Sequence, residues 1–337
     1  MNFENLSPTA QNRLNLKLRP VFVGQLILLE SLIFPAFSYY EGKFEVVLDK
    51  DEGITSQFIK DYALKRNKEI FISQDDYKLL NEKLRTDITK LTRSLSIGNI
   101  PKNTNRHVSL LTMQLEHLYK DPFNDDLLNS QFQNTKNLSN ILLGHKDLHS
   151  KLYQSLTKQN YHYTHKQPLL SSILVLSFIQ SLGIFTEKET QELFLTSYFK
   201  DIGMSFIPRE KFELAHLTDF DKKLFSDHAD SSMKILQGRL PFNQTQLNLI
   251  KNHHYLNYKI QSMVYGTKDI KNQEFLSGLE SAMVSSLDIL VAMTNERPYR
   301  QPISSYKALE LLKIVLADDY PQEFKALVFF LKSFFSK

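Results

Sequence analysis

The stretch FKDIGMSFIP, residues 199–208, decides how the C-terminal half of this chain is read. Asp201 closes an apolar run of helical character and stands just before a glycine, with Lys200 in front of it. Two readings compete: a metal ligand carried on a helix end, or an ordinary helix terminus that contains an acid. The flanking sequence has to decide between them.

Around this stretch the chain reads as a succession of helices with clear start and stop signals. PLLSSILVLSFIQSLG (168–183) opens with Pro168 in a first-turn position and closes at Gly183. TEKETQELFLTSYFKDIG (186–203) offers Thr186 as N-cap with Glu189 three residues on, a capping box, and closes at Gly203. A third helix is expected from Thr218 to Gly238, and a fourth from Asn243 to Tyr255 with Gln246 after its cap. GLESAMVSSLDILVAMTNERP (278–298) must end near Pro298, and two more helices follow at about 304–318 and 321–335. Helices of ordinary length with short connections make a bundle.

The first third has a different texture. KFEVVLD (43–49) and EIFIS (69–73) read as strands, ITSQFIKDYALKR (54–66) and residues 75–95 as amphipathic helices. Residues 102–153 are polar and Asn/Gln-rich with helical patches such as SLLTMQLEHLY (109–119). The expected fold class is therefore α+β. A small mixed α/β N-terminal domain over 1–100 comes first, with a regulatory role inferred from its position. A helical connecting region over 101–155 follows, and then an all-α bundle over 156–337.

Composition bounds the chemistry. The chain has 337 residues, 42% apolar and 23% charged, a globular balance. A formal net charge of +4 is too mild to imply a nucleic-acid polymer as partner. The most apolar early stretch, Val21 to Phe37, is broken by Glu30 and Pro35 and falls short of a membrane span, and the N-terminus carries no signal pattern. Cysteine is absent, which removes disulfides, thiolate metal sites and cysteine nucleophiles. That fits a reducing compartment, and a cytoplasmic location is expected. Any metal chemistry must use His, Asp and Glu.

Polar groups of that kind recur inside the apolar helices: Asp201, His228 in mid-helix, the adjacent His253 and His254, and Asp288 among apolar neighbours. An isolated buried carboxylate is costly, so Asp288 must be paired, protonated or metal-bound. Imidazole and carboxylate together suit zinc, iron, manganese or nickel. Adjacent histidines diverge by about 100° on a straight helix, so one metal shared by both needs a bent helix end. Each residue also has an ordinary reading: His228 as a hydrogen-bonded structural residue, His253 and His254 as surface residues, Asp201 as a solvated acid. Asp288 would then be a buried partner of Arg297 or Lys200.

The order of these features resembles the HD-GYP family, the cyclic di-GMP phosphodiesterase branch of the HD superfamily, over roughly residues 160–335. KDIGM (200–204) followed by Ile207 and Pro208 is similar to that family's HDIGK and IP. HADSSMKIL (228–236) resembles its histidine helix, NHHY (252–255) its double histidine, and SLDILVAMTNERPYR (286–300) its closing RPY segment. EIFISQDDY (69–77) is more loosely similar to a segment found ahead of some HD-GYP domains. The resemblance implies two divalent metal ions, iron first with manganese or nickel as alternatives. Asp201 would bridge them, His228, His253 and His254 would hold one, and Asp288 the other. His165 is the candidate for the family's first-helix ligand, with His162 as the alternative. Cyclic di-GMP or a related nucleotide is the implied ligand, and other signalling proteins are candidate partners.

The departures are as specific. Lys200 replaces the HD histidine, Met204 the phosphate-facing lysine, Tyr255 the glutamate after the double histidine, and Val291 the second aspartate of the closing helix. Only Tyr265–Gly266 stands where the GYP loop belongs. Lys200 is expected to contact phosphate directly as a point charge, and is placed with Asp201 among the catalytic candidates. Arg297 and Arg300 are candidate phosphate contacts or helix-end cations. The implied function is an atypical phosphodiesterase. The alternative is a catalytically inactive signalling or scaffold protein that keeps the metal and binds nucleotide or a partner.

Overall fold

The computed structural model describes residues 18–22, 26, 32–40, 43–55, 58, 69–159, 161–265 and 278–336. Two compact units divide at Leu91 and Thr92.

The N-terminal unit holds a four-stranded antiparallel sheet in the order β1-β4-β2-β3. Its strands are β1 (Leu18–Phe22), β2 (Ala36–Tyr40), β3 (Lys43–Leu48) and β4 (Glu69–Ser73). β1 pairs with β4 from Leu18 opposite Ser73 to Phe22 opposite Glu69, and β2 pairs with β3. Alternation sets the buried face: Ile70 and Ile72 of β4 point inward. The Ser73 hydroxyl accepts from the Asp76 amide and so starts α1 (Gln74–Arg93). Tyr77, Leu80, Leu84, Ile88 and Leu91 give α1 a buried stripe at helical spacing. Most of the helix expected at 54–66 lies outside the described residues, as do residues 266–277, which hold the remnant of the GYP loop.

The second unit, Thr92–Lys337, is helical. Its helices are α2 (Ile100–Lys120), α3 (Asp125–Gly144), α4 (Leu148–Thr157), α5 (Tyr163–Leu182), α6 (Glu187–Phe199), α7 (Asp219–Ser226) and α8 (His228–Leu236). They continue as α9 (Gln244–Asn252), α10 (Tyr255–Tyr265), α11 (Leu279–Thr294), α12 (Ser305–Leu316) and α13 (Pro321–Phe335). α5 is the axis of the unit. It packs on α2, α3, α4, α6, α11 and α13, and nearly every residue from Pro168 to Ile179 is buried, as expected of a helix surrounded by others. The segment read as a connecting region, α2 to α4, packs on this axis within the same unit. No described helix is long and apolar enough to cross a membrane.

The capping signals translate directly into bonds. Thr186 with Glu189, Thr218 with Asp221 and Asn243 with Gln246 each form a reciprocal capping box. α5 differs from expectation. It begins at Tyr163, capped by His162, so Pro168 lies inside it rather than in its first turn. Proline removes the donor that would reach the carbonyl of Thr164 one turn earlier. The Tyr119 hydroxyl of α2 stands 3.4 Å from that carbonyl.

Burial also sets an acid sensitivity. His107 of α2 is fully buried with its Nε2 3.0 Å from the Thr92 hydroxyl, and burial drives its pKa down to about 3. Because the folded pKa lies below the unfolded one, the unfolded chain takes up the extra proton, and stability falls as pH drops below about 6.5. Between about pH 7.5 and 5 this residue alone removes about 2 kcal/mol. His107→Gln is expected to flatten the pH dependence of the urea-unfolding free energy by that amount over that range; an unchanged slope contradicts the assignment.

Candidate metal centre

The centre forms where α6 stops. The helix gives way after Phe199 to Lys200 and Asp201, and the chain tightens into a 3-10 turn over Ile202–Phe206. Gly203 permits this turn to press on the start of α8. A Cβ there would lie 2.1 Å from the His228 carbonyl oxygen and 2.5 Å from the Ser232 amide. Ser232 fastens the contact: its hydroxyl donates to the Lys200 carbonyl at 2.6 Å and accepts from the Gly203 amide at 2.8 Å. The Tyr119 hydroxyl holds the Asp201 carbonyl from the other side at 3.1 Å.

Two helix breaks then aim the imidazoles. The third helix expected from sequence is in fact two, α7 and α8, and the break at Asp227 puts His228 in the first turn of α8 instead of mid-helix. Its Nδ1 donates to the Phe225 carbonyl, one of the open acceptors in the last turn of α7. α9 ends at Asn252, so His253 and His254 sit in a turn before α10. This is the bent helix end that a shared ion needs, and it brings the two rings to 4.0 Å between centroids. His253 Nδ1 donates to the Ile250 carbonyl at 2.6 Å. With Nδ1 committed to a carbonyl on both His228 and His253, each Nε2 turns its lone pair into the site, the arrangement typical of metal-bound histidines.

The result is a tight donor set. One ligand atom each from His228, His253 and His254 lies within 4.8 Å of the others. His228 Nε2 is 3.2 Å from His253 Nε2 and 3.3 Å from His254 Nε2. Asp201 Oδ1 is 3.0 Å from His228 Nε2 and 3.2 Å from His253 Nε2. Lone pairs facing one another at such distances call for a shared cation, so three imidazoles and a carboxylate fit one divalent transition-metal ion. Burial, with His253 and His228 alongside, holds His254 well below the usual histidine range, which keeps it neutral and able to bind.

The other carboxylate oxygen of Asp201 serves a different cation. The Lys200 ammonium, with no exposed surface, bonds to Asp201 Oδ2 and lies 2.7 Å from Asp288 Oδ1. Burial pushes the lysine pKa down, but the two carboxylates outweigh it and the net direction is up. Burial likewise pushes Asp201 up, but the Lys200 ammonium beside it outweighs that and holds the acid well below the usual carboxylate range. Asp288 Oδ1 also accepts from Gln167 Nε2 and Ser171 Oγ of α5, each at 3.1 Å. Gln167 in turn receives the Arg297 guanidinium, which stacks over Tyr163 at 5.0 Å and donates to the Tyr299 hydroxyl at 2.7 Å. One polar chain thus runs from Arg297 through Gln167, Asp288 and Lys200 to Asp201.

Several sequence expectations meet their positions here. Asp201, His228, His253 and His254 converge. Asp288 is near, but it is paired with Lys200, the ordinary alternative weighed for it. Lys200 is not in the wall of the adjoining cavity; its charge is spent on two carboxylates beneath it. His165 stands outside the imidazole group, its ring 5.3 Å from Tyr119 and 5.7 Å from His162, and His162 Nε2 faces Glu213 at 3.2 Å. The α5 side chains that reach the site are Gln167 and Ser171, one and two turns past the helix start, which the sequence marked by no unusual chemistry. A cavity of about 490 Å³ opens on the centre, lined by Asp201, His228 and His254 together with Lys222, Lys223, Arg297 and Arg300.

The sequence matches no described family profile and no curated protein. A solved structure does match: Bd1817, a HDG"Y"P protein from Bdellovibrio bacteriovorus. It has 18% identity and a TM-score of 0.64 over 94% of this chain and 100% of the other. The two chains share a fold.

The packing at Gly203 yields a direct test. Gly203→Ala is expected to lower unfolding stability by about 3 kcal/mol, because its Cβ meets backbone that cannot yield without moving α8. Gly144→Ala, with open space around its Cβ, should stay within about 0.5 kcal/mol in the same urea titration. Equal effects at the two positions would contradict the close approach.

Proposed function

We propose that this chain is an atypical member of the HD-GYP family. In this reading it acts on the phosphodiester of cyclic di-GMP or a related nucleotide at a metal site built from His228, His253, His254 and Asp201. The observation that carries the reading is the convergence of three imidazoles and a carboxylate beside a cavity that also presents Lys222, Lys223, Arg297 and Arg300. The shared fold with an HDG"Y"P protein supports it. An ion bound there, iron by preference and manganese or nickel as alternatives, supplies Lewis acidity, lowering the pKa of a bound water and polarising a phosphoryl oxygen. The chain's own residues do the rest. His228 and His253 are locked in the binding tautomer by backbone carbonyls. Asp201 is kept ionised by Lys200. The cationic side chains of the cavity offset phosphate charge, with Arg300 exposed and Arg297 half-buried. Lys200 is assigned to positioning Asp201 and not to touching substrate.

A second reading, a receptor that binds the nucleotide or a protein partner without turnover, is favoured by one observation. Met204, where a phosphate-facing lysine is implied by the resemblance, is buried in an apolar cluster with Tyr163, Ile207 and Phe212.

The test is incubation of manganese- or iron-loaded protein with cyclic di-GMP, followed by chromatography. Linear product from the wild type is expected. His228→Ala should bind metal about 100-fold or more weakly and form none. Tight nucleotide binding in calorimetry without product would select the receptor. Neither binding nor product would contradict both the phosphodiesterase and the nucleotide receptor and leave only the protein-partner form of the second reading.

A further inference from the structure

The site carries two acids, and their four oxygens do not face the same way. Asp201 Oδ1 joins the imidazoles, whereas Asp201 Oδ2 and Asp288 Oδ1 face each other across the Lys200 ammonium. A carboxylate used on both oxygens in this manner bridges two cation positions. Here a donor set fitted to a metal surrounds one position, and a side chain that cannot leave without exposing two buried acids fills the other.

We propose that the Lys200 ammonium is a built-in second cation, which replaces a divalent ion between Asp201 and Asp288 and commits this chain to a single metal ion. The inference rests on the proposed metal-binding reading of the imidazole cluster.

Three features of the geometry support it. First, space: Nζ stands 2.7 Å from Asp288 Oδ1 and is still closer to Asp201 Oδ2. Divalent ions bind carboxylate oxygens at about 2.0–2.2 Å, so an ion placed between these oxygens would coincide with the nitrogen. Second, donors: the oxygen of Asp288 that faces the lysine already accepts from Gln167 and Ser171, both of which are donors toward it. These three hydrogen bonds suit an anion held by protons. A metal would need additional acceptor atoms there, and α5 offers amide and hydroxyl groups in place of imidazole. Third, charge: a fixed ammonium and a divalent ion cannot share a buried pocket whose acids contribute two negative charges, one of which is also needed by the imidazole-bound ion. Lys200 is anchored besides, its carbonyl taken by Ser232 and its amide bonded to Thr196 at 3.0 Å. A consequence is that each of the two acids keeps a cationic partner in Lys200 whether or not metal is present, so the chain should fold without metal.

The deciding experiment is metal stoichiometry on the untagged full chain, stripped with chelator, dialysed against excess Mn²⁺ and counted by mass spectrometry. One manganese per wild-type chain is expected, with the EPR spectrum of an isolated ion. Lys200→His, which removes the ammonium and adds an imidazole, should rise to two per chain and show exchange coupling between the ions. Two per chain in the wild type overturns the inference while leaving the metal reading intact. Zero in the wild type overturns the metal reading itself, and this inference with it. A variant that folds by circular dichroism yet stays at one shows that the lysine is not what excludes the second ion, and overturns the proposal. Should the variant not fold, the wild-type count alone decides.

Discussion

A lysine ammonium sealed between two carboxylates is the constraint from which the rest of the centre follows. Lys200 ties the end of α6 to the middle of α11 through Asp288, and in the same step fixes the orientation of Asp201. Burying three charges is expensive, and such a group persists only when every member is hydrogen-bonded. The condition is met: Gln167 and Ser171 complete Asp288, the Lys200 ammonium itself takes Asp201 Oδ2, and Arg297 completes Gln167. Removing one member would strand a buried charge, at a cost of about 3–5 kcal/mol. The network therefore ties α5, α6, α8 and α11 to one another alongside the apolar packing around α5.

The imidazoles reach the site because the backbone is broken in the right places. A continuous helix through residues 219–236 or 244–265 would spread His228, His253 and His254 over different faces. Asp227 interrupts the first, and the turn at His253 and His254 interrupts the second. Gly203 supplies the third requirement, an approach of the 3-10 turn to α8 that any side chain would block. The chemistry is thus built from helix ends, where backbone carbonyls are free to take the Nδ1 protons of histidine.

Much of this was legible beforehand. Strands at 43–49 and 69–73 and the capping boxes at Thr186 and Asn243 rest on local rules, and local rules hold where side chain and backbone bond within one turn. Asp201, His228, His253, His254 and Asp288 stood out because polar groups in apolar helices need a reason. What escaped was non-local. Pro168 as a helix start is a sound local inference, but the helix starts five residues earlier, at Tyr163, under the His162 cap. His165 was the obvious donor near the start of α5, but the surface of α5 that meets Asp288 carries Gln167 and Ser171, and which residue faces inward depends on packing. A lysine is read by default as solvent-facing, so the burial of Lys200 could be seen only once Asp201 and Asp288 were found on either side of it. Tyr119, in a segment read as a connection, gave no sign that it would cap the carbonyl of Asp201.

The central claim, one metal ion beside one ammonium, is tested most directly by anomalous diffraction from crystals of the metal-loaded protein, collected on both sides of the metal absorption edge. The account predicts a single anomalous peak per chain within bonding distance of His228, His253, His254 and Asp201, with the Lys200 nitrogen still between Asp201 and Asp288. A second peak between those two carboxylates, with Lys200 displaced, or no peak among the imidazoles, would contradict it.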